Sequence, residues 1–149
     1  MRLHVCLCFG LLLGAIGCSG SGSIALPDTV AATGMVTLDG KPIQFAMVTF
    51  VPRTGTKGIE CTGVTDETGD FDLKQIRGKD GVPPGEYTVV INRYVKADGT
   101  PVALDGSEPP ANLGAVESLP SCYSNPGESK LTAKVTEEGG TFRFDLNSL

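Results

Sequence analysis

The sequence predicts an all-β fold, a seven-stranded Greek-key β-sandwich. Short runs rich in β-branched and aromatic residues alternate with turn residues, and no helical apolar period persists over ten residues. The turn signals recur at the spacing typical of sandwiches. The chain of 149 residues carries 20 glycines and 10 prolines, which is consistent with many turns.

The first predicted strand covers residues 34–38 (GMVTL). Asp39 and Gly40 follow it, and this dipeptide favours a tight hairpin turn because both residues tolerate a positive φ. The next predicted strand, residues 46–51, alternates apolar with polar or small side chains and ends at Pro52. These features start the domain with a strand, a turn and a second strand.

Residues 60–65 and 70–74 are predicted to form a pair of strands joined by the turn residues 66–69 (DETG). Residues 85–94 form the longest predicted strand, and the two prolines before it set an extended entry. Residues 131–136 and 141–146 are predicted to close the domain as a hairpin. Alternation predicts a core made of Val36, Val48, Phe50, Phe71, Leu73, Tyr87, Val89, Ile91, Leu131, Val135, Phe142, Phe144 and Leu146.

The first residues have the composition of an export signal. Arg2 precedes an apolar run from Val5 to Ile16, and Gly17 and Cys18 end the segment. The run is shorter than the roughly 20 apolar residues that a membrane-spanning helix needs. We therefore interpret residues 1–17 as a signal peptide.

Ala15-Ile16-Gly17-Cys18 resembles the bacterial lipobox, in which the cysteine thiol receives a diacylglyceryl group, the signal is cut just before the cysteine, and the new amino terminus is acylated. The resemblance implies lipidation of Cys18 and attachment to a membrane through the N-terminal acyl chains. The alternative is an ordinary secretory signal cut near Gly17 or Gly20. Residues 18–33 begin with Gly and Ser and are interpreted as a tether of about 20 Å, and residues 34–149 as the sandwich.

Composition excludes several kinds of site. The only histidine is His4, inside the predicted signal, so the remaining chain lacks the central group of Ser-His-Asp triads and of His-ligated metal sites. The net charge is −5 and the sequence contains no Lys/Arg cluster. We therefore expect no nucleic-acid partner and no electrostatic binding to anionic lipid, which leaves acyl chains as the means of attachment.

Four motifs carry a family resemblance: GMVTLDGKPIQFAMVTFVP, GVTDETGDFDL, VPPGEYTVVI and LPSCYSNPGESKLTAKVTEEGGTFRFDL. Together they resemble the carboxypeptidase regulatory-like domain, a transthyretin-like sandwich, as found in small planctomycete-type bacterial lipoproteins. The resemblance covers nearly all of residues 32–147. It implies the fold and an exported protein, and it transfers neither catalytic residues nor a cofactor.

An acidic cluster is a candidate cation site. Asp66, Glu67, Asp70 and Asp72 crowd into a short segment, and carboxylate oxygens suit calcium. The spacing does not match an EF-hand, and Asp-x-x-Gly is common in hairpin turns. A solvated turn is the favoured interpretation and calcium the alternative.

Residues 96–129 contain five prolines and no convincing strand, which predicts a long loop. One interpretation is a partner surface, and the other is a cover for strand edges. The candidate contact residues of the partner surface are Tyr94, Tyr123, Asp98, Asp105, Glu108 and Glu117.

Cys61 and Cys122 are the two thiols left outside the predicted signal and lipidation site. In an oxidising compartment such a pair is expected to form a disulfide, and the alternative is a buried free thiol at Cys61.

The sequence favours a non-enzymatic, lipid-anchored envelope protein that acts as a structural or protein-interaction module, with an unidentified envelope protein as partner. The alternative is a carbohydrate- or peptide-binding module that uses the loop of residues 96–129. An enzyme would have to work without histidine.

Overall fold

A computed structural model of the chain describes residues 27–104 and 108–148. The predicted signal peptide, Cys18 and most of the tether lie outside these residues, and so does Asp105. The described residues form eleven strands, one short α-helix and one 3-10 helix.

The elements follow one another in this order: β1 Ala32–Leu38, β2 Lys41–Pro42, β3 Met47–Pro52, β4 Cys61–Val64, β5 Asp70–Asp72, β6 Lys74–Gln75, β7 Gly85–Asn92, β8 Tyr94–Val95, the 3-10 helix Pro110–Leu113, β9 Val116–Glu117, α1 Ser121–Ser124, β10 Thr132–Val135 and β11 Gly140–Leu146.

Two sheets make the domain an all-β sandwich, as predicted. One sheet has the strand order β10-β7-β3-β4-β6, and all its pairs are antiparallel. In the other sheet β1 pairs in parallel with β11 on one side and antiparallel with β5 and β2 on the other side. The seven longer strands correspond to the seven predicted ones. The short strands β2 and β6 belong to these two sheets, and β8 and β9 form a separate two-stranded sheet.

The turn between β1 and β2 confirms the prediction from Asp39-Gly40. Both residues have a positive φ, 51° and 75°, which is the requirement of a type I′ hairpin turn. Leu38 pairs with Lys41 directly across this turn.

The predicted pairing of residues 60–65 with 70–74 is wrong in part. β5 pairs with β1 in one sheet, and β6 then pairs with β4 in the other, so residues 70–76 cross from sheet to sheet. Alternation continues through the crossing, with Phe71, Leu73 and Gln75 buried and the residues between them exposed. Because the burial pattern does not change, the sequence does not reveal the change of sheet.

The predicted hairpin of residues 131–136 and 141–146 is also wrong. β10 pairs with β7, whereas β11 pairs in parallel with β1 in the opposite sheet. Only one bridge, between Thr136 and Gly139, joins the two segments. The turn therefore connects the two layers of the sandwich.

The core matches the predicted one closely. All predicted core side chains are buried except Leu131 and Phe142, which are half-buried against it. Phe50 lies at the centre, with its ring centroid 5.6 Å from Tyr87, 5.3 Å from Phe142 and 6.3 Å from Phe144. Buried side chains that were not predicted include Ile43, Ala46, Cys61, Val82 and Leu119.

The sandwich begins before Gly34. β1 starts at Ala32, and Val30 forms a bridge with Val82 through two backbone hydrogen bonds of 3.0 and 2.9 Å. Residues 30–33, which were assigned to the tether, therefore belong to the folded domain.

The segment 96–129 is more structured than a loop. β8 pairs with β9, so that Tyr94 lies opposite Glu117, and the 3-10 helix and α1 flank β9. These short elements anchor the segment to the end of the sandwich, and short elements of this kind leave no periodic signal in a sequence.

Candidate functional site

A concave surface on the described residues lies where the chain crosses between the sheets. We call it the crossover groove, and its volume is about 890 Å³. Asp70, Asp72, Lys74 and Ile76 are the exposed residues of the crossing segment. The groove is completed by residues of three flanking strands, namely Thr33 and Met35 of β1, Thr62 and Val64 of β4, and Thr141 and Arg143 of β11.

Two glycines allow the crossing segment to approach its neighbours closely. A Cβ at Gly63 of β4 would lie 2.4 Å from the carbonyl oxygen of Asp72. A Cβ at Gly34 of β1 would lie 2.6 Å from the ring of Phe71. Real Cβ contacts are not this short, so the sequence needs glycine at both positions to bring β1, β4 and β5 together.

Two large, exposed apolar side chains line the groove, one near each end of β4. The side chain of Ile76 is 63% exposed and that of Val64 is 40% exposed. Among the described residues the one other large hydrophobic side chain with comparable exposure is Val116, at 64%, and it does not line the groove. Exposed aliphatic side chains collected in one concavity are typical of a contact surface.

The cationic side chains of the groove have carboxylate partners, whereas two of its carboxylates have no cationic partner among the described residues. Lys74 is 3.3 Å from Asp80, and Arg143 is 3.0 Å from Asp145, so both cations already have a carboxylate partner. Asp70 and Asp72 form no ion pair with the described residues. The groove therefore offers carboxylates to a partner and suits a partner with cationic groups.

Asp66 of the acidic cluster is occupied by the turn that precedes β5. Its Oδ1 accepts hydrogen bonds from the backbone N–H of Thr68 at 2.8 Å, from Thr68 Oγ1 at 2.7 Å and from the N–H of Asp70 at 3.0 Å. The Thr68 bonds, from its hydroxyl first, lower the pKa of Asp66. Within residues 27–104 and 108–148 no group of His, Cys, Asp or Glu is arranged to hold a metal ion. The Asp66 carboxylate thus serves to hold the turn, and the side chain of Glu67 is exposed.

Two residues of the predicted partner surface lie together. Tyr94 and Glu108 line a second hollow of about 430 Å³, with Met47, Leu104 and Pro110 among its other lining residues.

Three further residues of the predicted partner surface accept hydrogen bonds within the domain, mostly from backbone N–H groups. Glu117 accepts hydrogen bonds from Asn92 Nδ2 at 2.8 Å and from the N–H of Arg93 at 3.0 Å. Tyr123 Oη accepts a bond of 3.3 Å from the N–H of Asn147. Asp98 Oδ1 accepts a bond of 2.9 Å from the N–H of Thr100 within a tight turn, and this bond lowers the pKa of Asp98. The structure thus brings together Tyr94 and Glu108, whereas Glu117, Tyr123 and Asp98 form local hydrogen bonds, and Asp105 lies outside the described residues.

The predicted disulfide is absent, and both Cys61 and Cys122 are free thiols. Cys61 is buried in β4, where its Sγ donates a hydrogen bond of 3.4 Å to the carbonyl oxygen of Ile59. Cys122 lies in α1, which packs on β7. In the five-stranded sheet β3 lies between β4 and β7, so the helix that carries Cys122 packs on a strand that is not a neighbour of the strand that carries Cys61.

Gln75 is a polar side chain that the sequence interpretation missed. It is 2% exposed, and neither Oε1 nor Nε2 has a hydrogen-bond partner among the described residues. Strict alternation from Phe71 through Leu73 places it inward, and this pattern was the available signal.

No helix within the described residues has the length and apolar character that a membrane crossing requires.

Comparisons with known proteins gave two structures of low similarity. No family model matches the chain, and no curated protein sequence matches it. Among solved structures, the chain is similar to the major pilin subunit BcpA of Bacillus cereus, with 18% identity and a TM-score of 0.41 over 81% of this chain and 30% of that chain. It is also similar to a 9R-lipoxygenase from Cyanothece, with 20% identity and a TM-score of 0.33 over 81% of this chain and 16% of that chain. The chain thus spans less than a third of either protein.

Proposed function

We propose that this protein is a non-catalytic, lipid-anchored interaction module of the cell envelope, built on a carboxypeptidase regulatory-like sandwich. The crossover groove is its contact surface for an envelope protein. The observation that carries this proposal is the joint exposure of Val64 and Ile76 in one concavity, beside unpaired carboxylates.

A non-catalytic role is supported by the groups with the largest pKa changes. Burial raises the pKa of the Cys61 thiol to about 11, which makes it a poor nucleophile at neutral pH. Burial also raises the pKa of Tyr87 to about 12, and its hydroxyl donates a hydrogen bond of 2.6 Å to the carbonyl oxygen of Pro83. Both groups are inside the core, where they stabilise the fold.

The anchor is proposed to be the acylated thiol of Cys18. The folded domain begins by Val30, so only a short segment separates it from Cys18. One acyl chain holds a protein to a membrane marginally, and two or more hold it stably. The domain would therefore remain near the membrane surface without any basic patch.

Metabolic labelling with a clickable fatty acid tests the anchor. The wild-type protein is expected to carry the label and to remain in the membrane fraction, and Cys18→Ala is expected to lose both properties. An unlabelled wild-type protein would show that the chain is a secreted sandwich.

A pair of matched variants tests the groove. Ile76→Asp replaces the most exposed large apolar side chain of the groove with a charge, and Val116→Asp makes the same change at an equally exposed site outside the groove. An envelope protein retained by the wild type and by Val116→Asp is expected to be lost with Ile76→Asp. Equal retention by both variants would remove the groove from the proposal.

A second candidate function is carbohydrate or peptide binding by the segment 96–129. The hollow beside Tyr94 favours it, because an aromatic ring and Glu108 line the same space. On a glycan and peptide array, binding that disappears with Tyr94→Ala would support this function, and a blank array would exclude it for the ligands tested.

A further inference from the structure

The open edge of β11 is the longest unpaired strand edge in the described residues. β11 ends its sheet and pairs only with β1. Its seven residues compare with four in β10 and two in β6, the edge strands of the other sheet. An exposed edge of this length is a template for pairing with another chain.

Hydrogen bonds at its two ends show which backbone groups point outward. The N–H of Gly140 donates to the carbonyl oxygen of Ala31 at 3.1 Å, and the carbonyl oxygen of Leu146 accepts from Asp39 at 2.9 Å. In a parallel ladder alternate residues bond to the same neighbour, so the even-numbered residues of β11 face β1. The N–H and C=O groups of the odd-numbered residues, from Thr141 to Asp145, therefore face away from it.

Hydrogen bonds within the domain limit the part of this edge whose outward groups are free, which we call the window. The N–H of Asn147 is the next outward group, and it donates to Tyr123 Oη at 3.3 Å. At the other end, the turn through Gly139 folds back on Ala31, with the N–H of Gly140 bonded to it. The window thus comprises residues 141–145, with Arg143 at its centre. It contains neither the proline nor the lysine that natural edges often carry.

We propose that this window pairs antiparallel with the same window of a second copy of the chain, around a two-fold axis at Arg143. Thr141 then faces Asp145 of the second copy, and Arg143 faces Arg143 of the second copy. Each facing pair exchanges N–H and C=O bonds in both directions. Because the window is symmetric about Arg143, this register uses every outward group from Thr141 to Asp145 and stops before the group that Tyr123 already binds.

The charges on the outer face are compatible with this register. Arg143 Nε donates to both carboxylate oxygens of Asp145 in its own chain, at 3.0 and 3.1 Å. The two facing arginines are therefore each neutralised by a carboxylate. Diagonal positions across such a pair are about 7–8 Å apart, so each arginine also lies near Asp145 of the second copy.

Cysteine cross-linking in the full-length protein tests the pairing and its register, in a Cys122→Ser background that removes the accessible native thiol. Facing Cα atoms in a hydrogen-bonded pair are about 5.5 Å apart, within the range of a disulfide. Arg143→Cys is therefore expected to give a disulfide-linked homodimer on mild oxidation of producing cells. Thr141→Cys is expected to give none, because two copies of that position would lie more than about 13 Å apart. The double variant with Thr141→Cys and Asp145→Cys is expected to cross-link.

Equal cross-linking at positions 141 and 143, no cross-linking at position 143, or cross-linking of position 143 to a different protein would each overturn the proposal.

A backbone variant gives a second test that introduces no thiol. Thr141→Pro removes an outward N–H that forms no hydrogen bond within the described residues, and an edge strand accepts proline at such a position. Thr141→Val keeps that N–H. By light scattering on the detergent-solubilised full-length chain, the wild type and Thr141→Val are expected to be dimeric and Thr141→Pro monomeric, with unchanged circular dichroism. A monomeric wild type, or a dimer that survives in a folded Thr141→Pro, would refute the pairing.

Discussion

Thr65→Val tests how the buried polar contacts hold the loop before β3. Thr65 is 1% exposed, and its Oγ1 donates to the carbonyl oxygen of Ile43 at 2.6 Å. The same oxygen accepts from the N–H of Ala46 at 2.8 Å. Phe45, between these two residues, has a φ of 60°, a region that non-glycine residues rarely adopt. We infer that the Thr65 hydroxyl stabilises this unfavourable loop conformation.

The expected loss follows from the two backbone groups that Val cannot satisfy. Each buried group left without its partner costs about 1–3 kcal/mol, and the additional buried methyl group returns about 0.8 kcal/mol. The free energy of unfolding is therefore expected to fall by about 1–5 kcal/mol. For a domain of this size each kcal/mol corresponds to a decrease in Tm of roughly 3–6 °C.

Urea unfolding followed by circular dichroism measures this loss, with Thr62→Val as the control. Thr62 is half-buried in β4, the strand that ends just before Thr65, and its hydroxyl makes no hydrogen bond to the described residues. The free energy of unfolding of Thr62→Val should therefore differ from that of the wild type by less than about 0.5 kcal/mol. If Thr65→Val lost no more than the control, the role assigned to the hydroxyl would be wrong.

Three further predictions concern buried groups. Cys122 should react with iodoacetamide in the native protein, whereas Cys61 should react only after unfolding, because burial raises the pKa of its thiol to about 11. Mass spectrometry of the native protein should show one adduct at these two positions, and two adducts would contradict the burial of Cys61. Burial raises the pKa of Tyr87 from 10.0 to about 12, so its contribution to stability should be complete below pH 10 and be lost between pH 10 and 12; a Tyr87→Phe variant should show a smaller fall in Tm over that range, and an equal fall would refute the assignment. Gly63→Ala places a Cβ 2.4 Å from the carbonyl oxygen of Asp72 and should lower the free energy of unfolding by about 1–3 kcal/mol, and an unchanged urea midpoint would contradict the close approach.

Much of the fold was predictable because alternation is a local property. The core positions Val48, Phe50, Val89 and Ile91 are read directly from strands with one buried face, and the structure buries all of them. The hairpin turn was predictable because Asp39 and Gly40 both tolerate the positive φ that the turn requires.

The choice of strand partners could not be predicted in the same way. Phe71 and Gln75 follow one alternating pattern although their strands belong to different sheets, and nothing local marks the transfer. β11 pairs with β1 from the other end of the chain, a contact decided by the packing of the two layers.

The candidate groove was not predictable for the same reason. Met35, Val64, Ile76 and Arg143 are far apart in the sequence, and only the crossing of residues 70–76 brings them to one surface. The sequence indicated Asp70 and Asp72 as part of a possible cation site, but it did not show which residues lie beside them in the fold. The predicted partner surface combined residues whose side chains, such as Glu117, bind their own backbone.

Contact between the crossover groove and another envelope protein can be detected by incorporating a photo-cross-linking amino acid at position 76 of the full-length chain, with the same substitution at position 116 as the control. We expect a specific cross-linked protein from position 76, in an amount that Val64→Asp reduces, and none from position 116. No cross-link at position 76, or the same cross-linked proteins from both positions, would contradict the proposed contact.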